Sequence, residues 1–135
     1  MMINAILPIR NDAWGSGEFQ APRGDKKHKG VDYSMPVNSI VKSPVSGWVT
    51  KLGYPYKDNF FYRYVEITDH KRLKHRFFYV EPSVALKEVV YKYKPIGIAQ
   101  DIQKRYTTKN KRMDNHIHYE ILHGRTPLDP GVFHA

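Results

Sequence analysis

The chain has 135 residues, about the length of one domain, and 41% of them are hydrophobic, including ten Tyr, six Phe and two Trp; this excludes a disordered segment. It has no cysteine, which excludes disulfides and thiolate metal sites and leaves His and carboxylates as metal ligands, the set found in catalytic zinc sites. With 22 basic and 13 acidic residues the net charge is +9, which draws in polyanions (nucleic acid, anionic membrane or anionic bacterial wall) without choosing among them.

At the start of the chain, residues 1–10 lack a basic n-region, and Pro8 and Arg10 interrupt the short apolar run, so no signal peptide is expected. No apolar stretch approaches ~18 residues, so no membrane span is expected either. Residues 11–30 are rich in Gly, Asp, Lys and Arg and read as an extended loop. Residues 37–42 and 48–52 read as strands, with Pro44 and Gly47 marking the turn between them. Residues 60–68 and 75–80 read as two more strands around a polar hairpin loop at 69–72. Residues 84–93 mix apolar residues with Lys, and 96–98 look like a short strand. The basic stretch 102–115 has no clear period and reads as a long loop or a short helix. Residues 116–122 alternate plainly and read as a strand, after which Pro127, Pro130 and Gly131 close an irregular tail. The expectation is one domain over 1–135, mostly antiparallel β with few short helices.

Two motifs carry chemistry. In His116-Ile117-His118 with Glu120, side chains two apart on a strand share a face, so the two imidazoles project together. In His28-Lys29-Gly30-Val31-Asp32, a fully extended chain would put His28 and Asp32 roughly 13 Å apart, and Gly30 permits the bend that would join them. Two His and one Asp suit Zn²⁺ with a fourth position for water. Each motif alone is weak, since seven His in a basic chain make chance pairings common. His70, His75, His123 and His134 are read as surface residues, and Glu120 as a solvated strand carboxylate in preference to an orienter of a ligand imidazole.

The run from Gly17 to Gly24, then His28-Lys29-Gly30-Val31-Asp32, the stretch from Asn38 to Val49, and His116-Ile117-His118-Tyr119-Glu120 together resemble the lysostaphin-type (LytM-like) metalloendopeptidases, over roughly residues 15–130. The resemblance implies a compact antiparallel β domain with a narrow groove, and one zinc ion held by His28, Asp32 and His118. It implies hydrolysis of peptide bonds in bacterial peptidoglycan, with His116 in catalysis and not on the metal. There, His116 would act as general base and then pass a proton to the leaving amine.

The sequence departs from the family at Tyr79-Val80-Glu81-Pro82, where Glu81 stands in place of an expected His. Three readings follow: Tyr79 supplies a donor through its phenol, Glu81 is the base with His116 as donor, or the site binds zinc with little catalysis. The last has a parallel in the chemotaxin relatives of the family, which this stretch also resembles. A second departure is at 87–94, where the family has glycines around a turn and this chain has Lys87, Glu88, Tyr91 and Tyr93.

The leading expectation is therefore a zinc endopeptidase acting on peptidoglycan peptides, a monomer made in the cytoplasm and reaching the wall as a phage lysis or virion protein. Arg105 and Tyr106, in the basic stretch 104–112, would line the groove edge and contact substrate. The alternatives are a zinc-binding module without turnover and, less favoured because no known motif is present, a nucleic-acid binder using the same Arg105 and Tyr106.

Overall fold

A computed structural model describes residues 7–134. The part of residues 1–10 read for a leader that precedes Leu7 lies outside the described residues. The stretch 11–30, expected as a loop, instead forms two small hairpins, β1 (Asn11–Asp12) with β2 (Gly15–Ser16) and β3 (Pro22–Arg23) with β4 (Lys26–Lys27). Each strand is two residues long, too short to show an alternating pattern in sequence.

There follow β5 (Val31–Ser34), β6 (Ile40–Lys42), β7 (Gly47–Gly53), β8 (Tyr64–Asp69), β9 (Lys74–Phe78), β10 (Val80–Pro82), β11 (Val89–Val90) and β12 (Pro95–Ala99). A single-turn helix α1 (Gln103–Tyr106) comes next, then β13 (His116–His123), β14 (Thr126–Leu128) and α2 (Pro130–Phe133). The stretch 102–115 thus combines a short helix with a loop, and the tail carries a strand and a helical turn. Asp129 caps that turn by accepting from the Gly131 amide at 2.9 Å, with Pro130 at its first position.

The main sheet runs β11-β7-β8-β9-β13. The far edge of β13 is shared: its first half pairs with β5 and its second half with β14, all antiparallel. A smaller sheet, β10-β12-β6, completes the domain. One face of the main sheet supplies Val31, Tyr33, Val65, Ile67, Phe77, Ile117, Tyr119 and Ile121, and these pack with Val41, Val80, Ile96 and Ala99 of the smaller sheet in one core. The mostly antiparallel β architecture read from the sequence is the one observed.

Two positions differ from the pattern for physical reasons. Residues 60–63 do not extend β8; they are a loop held by side chains, with the buried Tyr62 hydroxyl donating to the Asp101 carbonyl at 2.8 Å and the Arg63 amide to Gln100 Oε1 at 2.9 Å. His75, expected on the surface, is fully buried, because it shares a strand face with Phe77. Its Nε2 lies 2.8 Å from Asp69 Oδ2 and its Nδ1 2.7 Å from the Tyr119 hydroxyl, which lies 2.8 Å from Nε2 of His134. His134 is likewise partly buried, while His70 and His123 are exposed as expected.

The opposite face of the main sheet carries Asp32 and Ser34 on β5, His116, His118, Glu120 and Leu122 on β13, and Lys74, Arg76 and Phe78 on β9. This polar face holds the site.

Candidate metal centre

His118 and Asp32 stand directly opposite each other in the β13–β5 ladder, so the pairing alone brings their side chains together. His28 arrives from the turn before β5. At Gly30 a side chain would meet the Tyr119 carbonyl oxygen at 2.3 Å, so the residue between His28 and Asp32 must be glycine for the turn to lie against β13. Gly17 is under the same constraint against Asp32, whose Cβ would be 2.7 Å away.

The three groups form a tight triangle. His118 Nδ1 is 2.8 Å from Asp32 Oδ1, His28 Nε2 is 3.0 Å from His118 Nδ1, and His28 Nε2 is 3.2 Å from Asp32 Oδ1. The outer nitrogens are both occupied. His28 Nδ1 lies 2.9 Å from the Glu18 carbonyl, and His118 Nε2 lies 2.9 Å from Glu120 Oε1. A neutral imidazole that donates through its outer N–H presents a lone pair inward. Two lone pairs and a carboxylate oxygen converging within about 3 Å repel one another unless a cation or a proton lies between them. In a tetrahedral zinc site with ~2.0–2.1 Å bonds, donor atoms sit roughly 3.3 Å apart. This donor set therefore fits a zinc ion.

The charges respond to this crowding. Burial opposes a charge on Asp32, yet the hydrogen bond from His118, with His28 Nε2 close by, holds its carboxyl well below the usual range. Burial likewise opposes a charge on His118, but hydrogen bonds to Asp32 and Glu120 raise it to about 9, so without a metal the ring takes the bridging proton. Glu120 is thus not a solvated strand carboxylate: it is buried and bonded to the His118 imidazole, the arrangement that fixes ring tautomer and orientation.

Arg10 carries no local sequence signal, yet it sits against the triangle. Its guanidinium is 2% exposed and donates from Nε and Nη2 to the other Asp32 oxygen, Oδ2, at 3.3 and 3.2 Å, and from Nη1 to Asp12 Oδ1 at 2.6 Å. This leaves Oδ1 aimed at the two imidazoles. Arg23 adds a longer contact to Oδ2 at 3.7 Å.

A cleft of about 430 Å³ opens over the triangle, lined also by Trp14, Tyr56, Tyr79, Tyr106, Met113 and His116. His116 is not in the triangle. Its Nδ1 lies 2.9 Å from the Asp114 carbonyl, so Nδ1–H donates there and Nε2 is left free, 3.8 Å from Asp32 Oδ2. Burial lowers its pKa, keeping the ring neutral.

Tyr79 and Glu81, paired in the sequence as alternatives, are separated. Tyr79 has φ 68°, and both its amide and that of Val80 donate to the Arg63 carbonyl, at 2.8 and 3.2 Å. Two residues opposite one carbonyl make a bulge between β9 and β10. The bulge turns Tyr79 onto the cleft face beside Phe78, with its ring perpendicular to that of His116 at 5.5 Å. It also resets the alternation, so Val80 enters the core and the exposed Glu81 faces a separate cavity with Phe61, Ile98 and Gln100. Gln100 Nε2 donates to Glu81 Oε2 at 3.4 Å. Glu81 therefore does not reach the cleft.

Tyr106 lines the cleft, but Arg105 does not; its guanidinium lies over the Tyr56 ring, 3.7 Å from the centroid, and Nη2 meets Asp58 at 3.4 Å. The Tyr56 hydroxyl donates to Tyr79 Oη at 3.3 Å and lies 2.6 Å from Tyr106 Oη. Burial pushes the Tyr79 and Tyr56 phenols upward, so both keep their protons.

A sequence profile for peptidase family M23 matches residues 26–130. Leukocyte cell-derived chemotaxin-2 of Mus musculus is 28% identical over 121 residues, covering 86% of this chain and 74% of that protein. The fold is similar to that of the antimicrobial peptidase lysostaphin from Staphylococcus simulans, with a TM-score of 0.68 at 19% identity over 87% of this chain. The match covers 48% of that chain, so this chain spans about half the length of lysostaphin. Against the lysostaphin catalytic domain alone the TM-score is 0.67 at 20% identity, covering 88% of this chain and 89% of that one. The catalytic domain, in a single-site mutant form, of the prophage-encoded M23 protein EnpA from Enterococcus faecalis gives a TM-score of 0.66 at 14% identity over 95% of this chain and 92% of that domain. These structural likenesses are likenesses of fold.

Proposed function

Because this chain belongs to peptidase family M23, we propose that it is a zinc endopeptidase that hydrolyses peptide bonds of bacterial peptidoglycan. The observation that carries this reading is the inward-facing triangle of His28, Asp32 and His118, with a third, neutral imidazole, His116, at its edge. His28 Nε2, Asp32 Oδ1 and His118 Nδ1 would hold the ion. When bound, zinc lowers the pKa of a coordinated water toward ~7 and polarises a carbonyl.

The chain's own residues supply the rest. His116 Nε2 carries the free lone pair and takes the proton of the attacking water; the resulting imidazolium stays anchored through Nδ1–H to the Asp114 carbonyl and then returns the proton to the leaving amine. Tyr79 accepts from Tyr56, which leaves its own O–H free to point into the cleft. A proton-retaining phenol there can donate to the oxygen on which negative charge develops; loss of such a donor costs roughly 3–4 kcal/mol of barrier. Tyr106 supports the same hydroxyl chain through Tyr56.

A zinc-binding module without turnover is the second reading. It is favoured by one fact, that Glu81 lies outside the cleft and leaves His116 as the sole imidazole beyond the triangle among the residues lining it. Zinc-loaded protein incubated with purified cell-wall sacculi separates the two. Release of free amino groups that stops with a chelator and with His116→Ala supports the peptidase; zinc uptake with no release supports the module.

A further inference from the structure

The cleft does not end at the triangle. Phe78 and Glu120 also line a second groove, of about 560 Å³, whose other walls are Lys29, Lys74, Arg76, Leu122, Gly124 and Arg125. The β9–β13 ladder explains the continuity. Phe78 pairs with His118, Arg76 with Glu120 and Lys74 with Leu122, so one sheet face leads from the metal centre into the groove. At ~3.4 Å per residue, Arg76 and Lys74 lie roughly 7 and 14 Å along the strand from Phe78.

The groove is built to carry positive charge. Among the described residues, Lys29, Lys74 and Arg125 have no carboxylate within ion-pair distance. Arg76 is held through Nε by the buried Glu66 carboxylate at 2.7 Å, and Thr50 fixes the other Glu66 oxygen, also at 2.7 Å. That leaves the terminal guanidinium nitrogens for a ligand, in an orientation set beforehand. Four cations against Glu66 and Glu120 leave a local charge of 4 − 2 = +2. Arg125 projects from the β13–β14 hairpin, where Gly124 at φ 61° makes the turn.

We propose that this groove is an anion subsite that takes a free carboxylate of the peptide being cut, two to four residues from the scissile bond. The subsite rests on the endopeptidase reading for its place in the reaction, but its chemistry is testable without turnover. An extended peptide advances about 3.3–3.6 Å per residue, so a chain seated at the metal centre brings a side chain or terminal carboxylate over Arg76 and Lys74 at that spacing. Arg76 offers a planar fork to the carboxylate, and Lys74, Lys29 and Arg125 add charge around it.

The test uses the zinc-loaded chain, titrated by calorimetry at low salt with N-acetylated tetraglutamate and tetraglutamine peptides. The acidic peptide binds at least tenfold more tightly. Lys74→Gln with Arg125→Gln removes that preference to within twofold, while Lys87→Gln with Lys109→Gln, the same charge loss elsewhere on the surface, retains it. Equal affinity for the two peptides, or equal weakening by both variant pairs, overturns the subsite. On sacculi, Lys74→Gln with Arg125→Gln raises KM with kcat unchanged, and chemical amidation of the wall carboxylates abolishes the difference between this variant and the parent. Absence of wall cleavage by the parent protein counts against the endopeptidase reading alone, because the peptide titration decides the subsite independently.

Discussion

If His28, Asp32 and His118 hold zinc as proposed, replacing Glu120 weakens that binding without touching any of the three. Glu120 is 8% exposed and accepts the outer N–H of His118 at 2.9 Å. A hydrogen bond to a charged acceptor contributes about 1.5–3 kcal/mol and a neutral one about 0.5–1.5 kcal/mol, so Glu120→Gln loses about 1–1.5 kcal/mol of ring orientation and basicity. That corresponds to a roughly tenfold weaker zinc affinity. Glu120→Ala leaves the N–H with no acceptor and approaches the ~100-fold loss seen when an outer partner of a ligand imidazole is removed. Competition against a chromogenic chelator at fixed pH 8, with free zinc buffered, gives both numbers. A Glu120→Ala protein binding zinc within twofold of the parent would refute the role assigned to this carboxylate.

Tyr79→Phe lowers kcat on sacculi by about 100-fold or more, whereas Glu81→Ala, at a residue facing a separate cavity, stays within twofold of the parent; amino-group release measures both. Tyr119→Phe strands His75 Nδ1 in the core and lowers stability by about 1–3 kcal/mol, read from the urea midpoint. Thermal melts of metal-free protein peak near pH 6.5. His118, raised to about 9, adds stability that is present below the unfolded imidazole value near 6.5 and lost as pH rises through about 9. His75 and His134 are lowered, His134 to about 4, so their contribution is present above about 6.5 and lost as pH falls toward 4. Added zinc takes the place of the His118 proton and removes the decline on the alkaline side; identical alkaline melts with and without zinc contradict this.

What could be read in the sequence followed strand periodicity. His116 and His118 sit two apart on a strand long enough to alternate, and His75 could have been placed in the core by the same rule, since Phe77 lies two residues on. Glycine between His28 and Asp32 signalled a bend, and the close approach of Tyr119 explains it. The remainder depended on contacts between distant segments. Arg10 reaches Asp32 across 22 positions, and Tyr56 reaches Tyr106 across 50, with no local pattern to announce either. The bulge at Tyr79 is set by the Arg63 carbonyl, which belongs to a loop that reads in sequence as part of a strand.

That bulge separates position along the chain from position in space. An engineer wishing to put an imidazole over this cleft, guided by the spacing of related sequences, would mutate Glu81 and place the new ring on the far side of the smaller sheet. The backbone offers residue 79 instead, where the left-handed kink already directs the side chain toward His116. A transplanted motif works only where the receiving strand has the same parity, and here one extra residue opposite Arg63 has shifted the count.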